Sequence, residues 1–222
     1  MRLNLRLTGN TAPVPFDHLH HLTGALHKWL GKDNPEHEGL SLYSFSWLGG
    51  SKVSEGTLTF PRGATWTLSL HDLGAARRVL DGILRDPEVA FGMRVFEVQE
   101  QAVPAFSGCY RFKVAGPVLA RARREGGGRD YLLWNDPRAS DALTRVHRHK
   151  LEAAGLAGEH LDAVVAFDQM YAGARSKLVT IKGISHKASH CPVVVTGTPE
   201  AVRFAWEVGV GELTGSGFGA LM

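Results

Sequence analysis

The chain has 222 residues, of which 44% are hydrophobic and 21% are charged, and its net charge is +3. These ordinary globular values exclude a collagen, a coiled coil and a mostly disordered chain, and they allow one large domain or two small ones. No apolar run approaches the roughly 18 residues of a membrane span. The N-terminal stretch MRLNLRLTGN lacks the apolar core of a signal peptide, so we expect a cytoplasmic protein without a membrane partner.

The positive charge is concentrated in one part of the chain. Residues 111–150 hold ten Lys and Arg but four Asp and Glu, a local net charge of +6, which leaves −3 for all other residues. A basic segment on a near-neutral body favours a polyanionic partner, most simply a nucleic acid.

The first hundred residues predict a β-α-β-β-α-β order of elements. Residues 2–8 alternate apolar and polar side chains, as in a half-buried strand, and Phe16, Leu19, Leu22, Leu26 and Leu30 have helical spacing. Strands are predicted at 40–47, 52–60, 64–70 and 93–99, and helices at 16–30 and 71–85. In the second helix we expect these residues to face inward: Leu73, Ala76, Val79, Leu80 and Leu84.

The second half has the same order. Strands are predicted at 109–114, 161–167, 176–184, 191–197 and 218–221, with a hairpin of 117–124 and 130–134 and helices at 140–154 and 199–208. The predicted fold is therefore α+β, with two tandem ferredoxin-like (βαββαβ) domains. We expect the domains to span 1–100 and 106–222, joined by a short linker.

A glycine-rich segment closes the chain, with Gly209, Gly211, Gly215, Gly217 and Gly219 in eleven residues. Bare glycine backbone approaches phosphates closely and offers N–H donors. The spacing does not match a dinucleotide-binding fingerprint, and no helix follows the segment, so a Rossmann or P-loop site is excluded. Leu213 and Phe218 are expected to anchor the segment to a core.

Two motifs resemble the CRISPR repeat endoribonuclease family. One is the closing pattern of Gly209, Gly211 and Gly217-Phe218-Gly219. The other is a histidine, a short turn and an F-S-x-L strand after the first helix, in residues 37–48. The resemblance implies a metal-free cleavage of repeat transcripts into guide RNAs, with no cofactor. CRISPR repeat RNA is the implied partner, while effector-complex subunits and a homodimer stay open.

The implied chemistry needs a proton acceptor, a proton donor and positive charge near the phosphate. Histidine serves either proton role near neutral pH, and His37 in its polar loop is the first candidate. Lys52 is the candidate for the electrostatic role. The family often carries a tyrosine on the first helix, but no tyrosine precedes Tyr43 here, so His20 and His27 are both kept as the second catalytic residue.

Basic side chains supply the predicted RNA-binding surface. The candidates, together with the five glycines, are Arg121, Arg123, Arg124, Arg129, Arg145, Arg148, Lys182 and Lys187. The two cysteines, Cys109 and Cys191, are too few for a disulfide framework. The histidine pairs lack cysteine or carboxylate partners, so no metal site is expected.

The sequence is compatible with two other functions. A related subunit that binds guide RNA without cutting it shares the tandem fold and the glycine segment, and the missing helix tyrosine leaves room for it. A general RNA-binding or ribosome-associated ferredoxin-like protein is the third possibility, although it does not require the closing glycines.

Overall fold

The computed structural model describes residues 1–31 and 40–222. The helices are α1 Leu19–Leu30, α2 Leu73–Arg85, α3 Ala139–Ala153 and α4 Pro199–Val208. The strands of the first half are β1 Arg2–Leu7, β2 Tyr43–Phe45, β3 Lys52–Ser54, β4 Thr57–Thr59, β5 Ala64–Leu70 and β6 Val95–Gln101. Those of the second half are β7 Cys109–Phe112, β8 Ala120–Arg123, β9 Arg129–Leu132, β10 Val164–Phe167, β11 Arg175–Ile181, β12 Ile184–His190 and β13 Val193–Thr196.

The first half forms an antiparallel sheet of order β2-β5-β1-β6. Leu3, Leu5 and Leu7 alternate with polar residues along β1 and are buried, because successive side chains of a strand point to opposite faces. Trp29 of α1 and Trp66 of β5 are buried in the same core, with ring centroids 5.7 Å apart. The β3–β4 hairpin is an insertion between β2 and β5.

The second half repeats this arrangement with sheet order β10-β13-β7. Where a fourth strand would pair next to β7, the chain forms one antiparallel bridge, between Leu221 and Val114. Both halves therefore have ferredoxin-like topology, and the predicted tandem fold is confirmed. The domain limits 1–100 and 106–222 remain a prediction; β6 continues to Gln101 and β7 begins at Cys109.

Buried polar contacts join the two halves. The guanidinium of Arg2 donates a 2.5 Å hydrogen bond to the carbonyl of Trp206 and lies 3.7 Å above its ring. His71 Nδ1 lies 2.7 Å from the carboxylate of Glu207 on α4. These contacts connect the first sheet to the last helix.

Two expectations about the first two helices were wrong. Helix α1 begins at Leu19 rather than residue 16, and Phe16 is 60% exposed. Pro15 and the bridge of Val14 to Leu58 keep the chain extended before the helix. In α2, Leu73 and Leu84 are exposed, because the helix packs closely on α1 through Gly82, where an added Cβ would lie 2.5 Å from Trp29 Cα.

The strand predicted at 176–184 is instead part of a hairpin. β11 and β12 pair in antiparallel register and are joined by Lys182 and Gly183, with φ values of 48° and 78°. Two residues at positive φ are the geometry of a type I′ turn. The predicted strand at 218–221 is reduced to the Leu221 bridge.

Candidate functional site

The glycine-rich segment is a packed loop between the two halves. Gly209, Gly211, Gly215, Gly217 and Gly219 are all buried. Phe218 is fully buried in the hydrophobic cluster of the first half, as expected, whereas Leu213 is 38% exposed, contrary to expectation. The indole N–H of Trp47 donates to the Gly217 carbonyl at 2.9 Å, and the Gly219 amide donates to Pro117 at 2.9 Å.

Close approach explains why glycine occupies this loop. Gly219 has φ 60°, and an added Cβ would overlap the carbonyl oxygen of Val210. The amides of Gly209, Gly217 and Gly219 donate to backbone carbonyls inside the protein. Phosphate binding by the glycines stays a prediction, and the observed role of the loop is packing.

A cleft of about 520 Å³ opens beside this loop. Leu40 and Ser41, which follow residue 39, line one wall, and the loop residue Thr214 lines another. Glu212 of the loop adds a carboxylate, and β8, β9 and α3 contribute basic and titratable side chains: Arg121, Arg129, Arg145, His149 and Lys150. The cleft therefore brings three of the predicted RNA-binding arginines to the end of the segment that contains His37.

The β8–β9 hairpin presents a basic face. Arg121 lies opposite Tyr131 and Arg123 opposite Arg129, so these four side chains share one face of the ribbon. Glu212 of the glycine loop accepts from Arg121 Nε at 3.1 Å and Nη2 at 2.5 Å, and from Arg129 Nη1 at 3.1 Å.

The remaining basic candidates lie outside the cleft lining. Arg124 pairs with Asp130 at 2.7 Å, and its hydrogen bond holds the pKa of Asp130 below the usual range. Arg148 donates to the Leu161 carbonyl at 2.9 Å. Lys182 and Lys187 are exposed on the β11–β12 hairpin, which Tyr131 contacts through a 3.1 Å hydrogen bond to the Ser185 carbonyl.

The structure places a tyrosine beside one of the helix histidines. Tyr43 of β2 has its hydroxyl 3.2 Å from His27 Nε2 on α1. A Cβ added to Gly215 of the glycine loop would overlap both the Tyr43 hydroxyl and the Ser41 hydroxyl, and Ser41 lines the cleft. Tyr43 was not among the catalytic residues predicted from the sequence, although it lies within the F-S-x-L motif segment of residues 37–48.

His20 and His27 occupy different surroundings. They are about 10 Å apart along the axis of α1. The His20 ring lies against His21, with centroids 4.0 Å apart, and its Nδ1 is 2.8 Å from the Asp17 carbonyl. Of these two candidates, His27 is the one that the structure brings to Tyr43.

Lys52 and His37 complete the predicted catalytic set. Lys52 is exposed at the first residue of β3. Gly49, three residues before Lys52, forms a bridge with Thr65 of β5, whereas Tyr43 pairs with Leu70 of the same strand. Thr65 and Leu70 are about 17 Å apart along β5. His37 lies outside the described residues, so its catalytic role stays a prediction.

A lysine of α3 is buried under the loop, although the sequence suggested a basic surface on this helix. Lys150 is 2% exposed, and its ammonium donates to Thr214 Oγ1 at 2.9 Å and to the Val208 carbonyl at 3.3 Å. Burial lowers the pKa of Lys150 to about 7. His147, one turn earlier, is 1% exposed, and burial with the nearby Lys150 charge lowers its pKa to about 4. Apolar spacing in α3 was the available signal, since both positions share the face of Leu143 and Leu151.

Within residues 1–31 and 40–222, no cluster of His, Cys, Asp and Glu is suited to hold a metal ion. Over the same residues, no helix combines the length and apolarity needed to cross a membrane.

Solved structures with the same fold include three that align with all of this chain. A Cas6-related protein from Pyrococcus furiosus has a TM-score of 0.86 and 19% identity, with 97% of its chain covered. A protein described as CRISPR associated protein Cas6 has a TM-score of 0.81 and 22% identity, with 98% covered. An RAMP protein binding different RNA substrates has a TM-score of 0.85 and 19% identity, also with 98% covered.

A comparison with curated protein sequences finds no match. The family model for the CRISPR associated protein Cas6 C-terminal region matches residues 100–222, which is more than half of the chain and includes the whole glycine-rich loop. The chain therefore belongs to the Cas6 family, whose members are CRISPR repeat-processing endoribonucleases.

Proposed function

We propose that this chain is itself an active, metal-independent endoribonuclease that cleaves precursor CRISPR RNA within its repeats. A ribose 2′-hydroxyl loses its proton and attacks the adjacent phosphorus, and the bond from phosphorus to the 5′-oxygen breaks. The leaving oxygen takes up a proton. The products are a 2′,3′-cyclic phosphate on one fragment and a 5′-hydroxyl on the other.

One observation carries this proposal: the cleft joins the end of the His37 segment, the glycine-rich loop and a set of arginines. An RNA phosphate in this cleft would meet Arg121, Arg129 and Arg145, while Ser41 and Leu40 continue directly from the segment that holds His37. Fixed positive charge at the reacting phosphate stabilises the extra negative charge of the transition state.

The proton transfers need two groups, and three histidines and a tyrosine are the candidates. His37 is proposed as one of the pair. The contact of His27 with Tyr43 supports His27 over His20 as the second, because Tyr43 lies next to the glycine loop and near Ser41, which lines the cleft. Lys52 keeps its proposed electrostatic role only if bound RNA brings phosphate to the β3–β4 hairpin.

The rest of the bound RNA is proposed to lie along the β8–β9 hairpin, the β11–β12 hairpin and α3. Arginine is suited to this role because its planar fork binds phosphate through two hydrogen bonds. The proposed contacts comprise Arg121, Arg123, Arg124, Arg129, Arg145, Arg148, Lys182 and Lys187.

The test is cleavage of a labelled repeat RNA from the source genome in excess EDTA. Wild type and His37→Ala are compared, and an RNA with a 2′-deoxyribose at the cleavage site is the control. We expect one cut with wild type, no cut with the deoxy RNA, and a rate loss of at least about 100-fold for His37→Ala with binding retained.

Other results redirect the proposal. Binding without any cut by wild type would favour the non-catalytic subunit that holds guide RNA in an effector complex. Cleavage that stops in EDTA and returns with Mg²⁺ would refute the metal-independent mechanism. Normal cutting by His37→Ala would move the catalytic assignment to His27 and His20. Light scattering of the RNA complex would determine whether a homodimer forms.

A further inference from the structure

A single carboxylate organises the basic face of the β8–β9 hairpin. Oε2 of Glu212 accepts hydrogen bonds from both Arg121 and Arg129, at 2.5–3.1 Å. The side chains of Arg121 and Glu212 are 13% and 21% exposed, so this ion pair is largely shielded from solvent. The backbone amide of Glu212 donates to the Leu119 carbonyl at 2.9 Å, which fixes the carboxylate relative to the start of the hairpin.

The hairpin needs such a carboxylate. Arg123 and Arg129 are directly opposite each other on β8 and β9, and Arg121 lies on the same face. Like charges in direct cross-strand pairs are destabilising. Glu212 offsets this repulsion and also determines the directions of two guanidinium groups.

Glu212 does not occupy all the donors of these two arginines, and the Arg129 side chain is 58% exposed. A guanidinium has five N–H donors. Glu212 takes two from Arg121 and one from Arg129. Arg121 and Arg129 can therefore still donate hydrogen bonds to a phosphate, but only through the N–H groups that do not bond to Glu212. A phosphate arriving from another direction meets the negative charge of Glu212.

We propose that Glu212 is a specificity-determining residue for RNA, which fixes Arg121 and Arg129 and repels RNA whose phosphates do not match their available donors. This inference rests on the proposed function, since it assumes that the basic face binds repeat RNA. Selection by a repulsive group lowers the affinity for wrong partners more than for the correct one.

The experiment measures the dissociation constants of a repeat RNA and a shuffled RNA of equal length, with Glu212→Gln and wild type. The matched control is Glu125→Gln, which makes the same charge change at the exposed tip of the same hairpin. We expect Glu212→Gln to lower the ratio of the shuffled to the repeat dissociation constant about tenfold, mainly through tighter binding of shuffled RNA. Glu125→Gln should keep that ratio within about twofold of wild type, because a general charge change acts on both RNAs alike.

Three results would overturn the inference. It is wrong if wild type prefers the repeat RNA and Glu212→Gln keeps the same ratio, or if Glu125→Gln lowers the ratio equally. A wild type that does not distinguish the two RNAs refutes the proposed function as well. If Glu212→Gln is unfolded at the assay temperature, Glu212→Asp is measured in its place. Its shorter side chain keeps the negative charge but moves the carboxylate oxygens away from Arg121 and Arg129, so it should also lower the ratio of the two dissociation constants.

Discussion

The Tyr43 hydroxyl lies 3.2 Å from Nε2 of His27 and brings strand β2 into contact with helix α1. This tyrosine comes from a strand rather than from the first helix, where the family often carries one. The glycine-rich loop passes close to this pair at Gly215, where an added Cβ would lie 2.8 Å from the Tyr43 hydroxyl.

Removing the Tyr43 hydroxyl should slow cleavage without weakening RNA binding. Tyr43→Phe keeps the buried ring but loses the contact with His27, so we expect the single-turnover rate to fall at least about tenfold. His27→Gln should cause a similar loss. The double variant should be only slightly slower than either single variant, because the rate effects of residues that act as a unit are not additive. Tyr110→Phe, on the distant strand β7, is the control and should cut at the wild-type rate. A Tyr43→Phe protein with normal cleavage would show that the tyrosine only packs.

Gly219 should be intolerant of any side chain. Gly219→Ala would place a methyl group on the Val210 carbonyl oxygen, and backbone cannot move aside cheaply. We expect the free energy of unfolding to fall by at least about 2 kcal/mol. Gly24→Ala is the matched control, because Gly24 lies on α1 with no atom within 4 Å of an added Cβ. Chemical denaturation should show it gaining about 0.5–1 kcal/mol. Equal effects of the two variants would contradict the packing seen around Gly219.

Lys150 should make stability depend on pH in the alkaline range. Its pKa is about 7 in the folded protein, against about 10.4 in an unfolded chain. Between these values the unfolded state binds more protons, so the lysine's contribution to the free energy of unfolding rises with pH, by at most about 1.4 kcal/mol per unit. The burial penalty is complete below pH 7 and is relieved above it.

Lys150→Met removes this titration while keeping a chain of similar length. Urea denaturation at pH 7, 8 and 9 should therefore show wild type gaining stability relative to the variant as pH rises. The comparison with the variant cancels other groups that contribute in this range, such as Cys191, whose pKa burial raises to about 11 in the folded protein, against about 8.5 in an unfolded chain. Parallel pH dependences in the two proteins would refute the titration of Lys150.

Periodicity in the sequence was sufficient to predict most elements and the tandem topology. The alternation of Leu3, Leu5 and Leu7 predicted β1 correctly, because one buried sheet face imposes a period of two. The Gly-Phe-Gly ending predicted a loop anchored by Phe218, which is fully buried. The hairpin of β11 and β12 was missed, although Lys182-Gly183 carries a two-residue turn signal.

The sequence by itself determined the element order, the closing glycine loop and the concentration of arginines between residues 111 and 150, because these depend on local spacing and composition. Only the tertiary structure decided which side chains meet. Glu212 reaches Arg121 across 91 positions and Lys150 reaches Thr214 across 64. Contacts of this kind depend on how helices and sheets pack, and no local pattern encodes them.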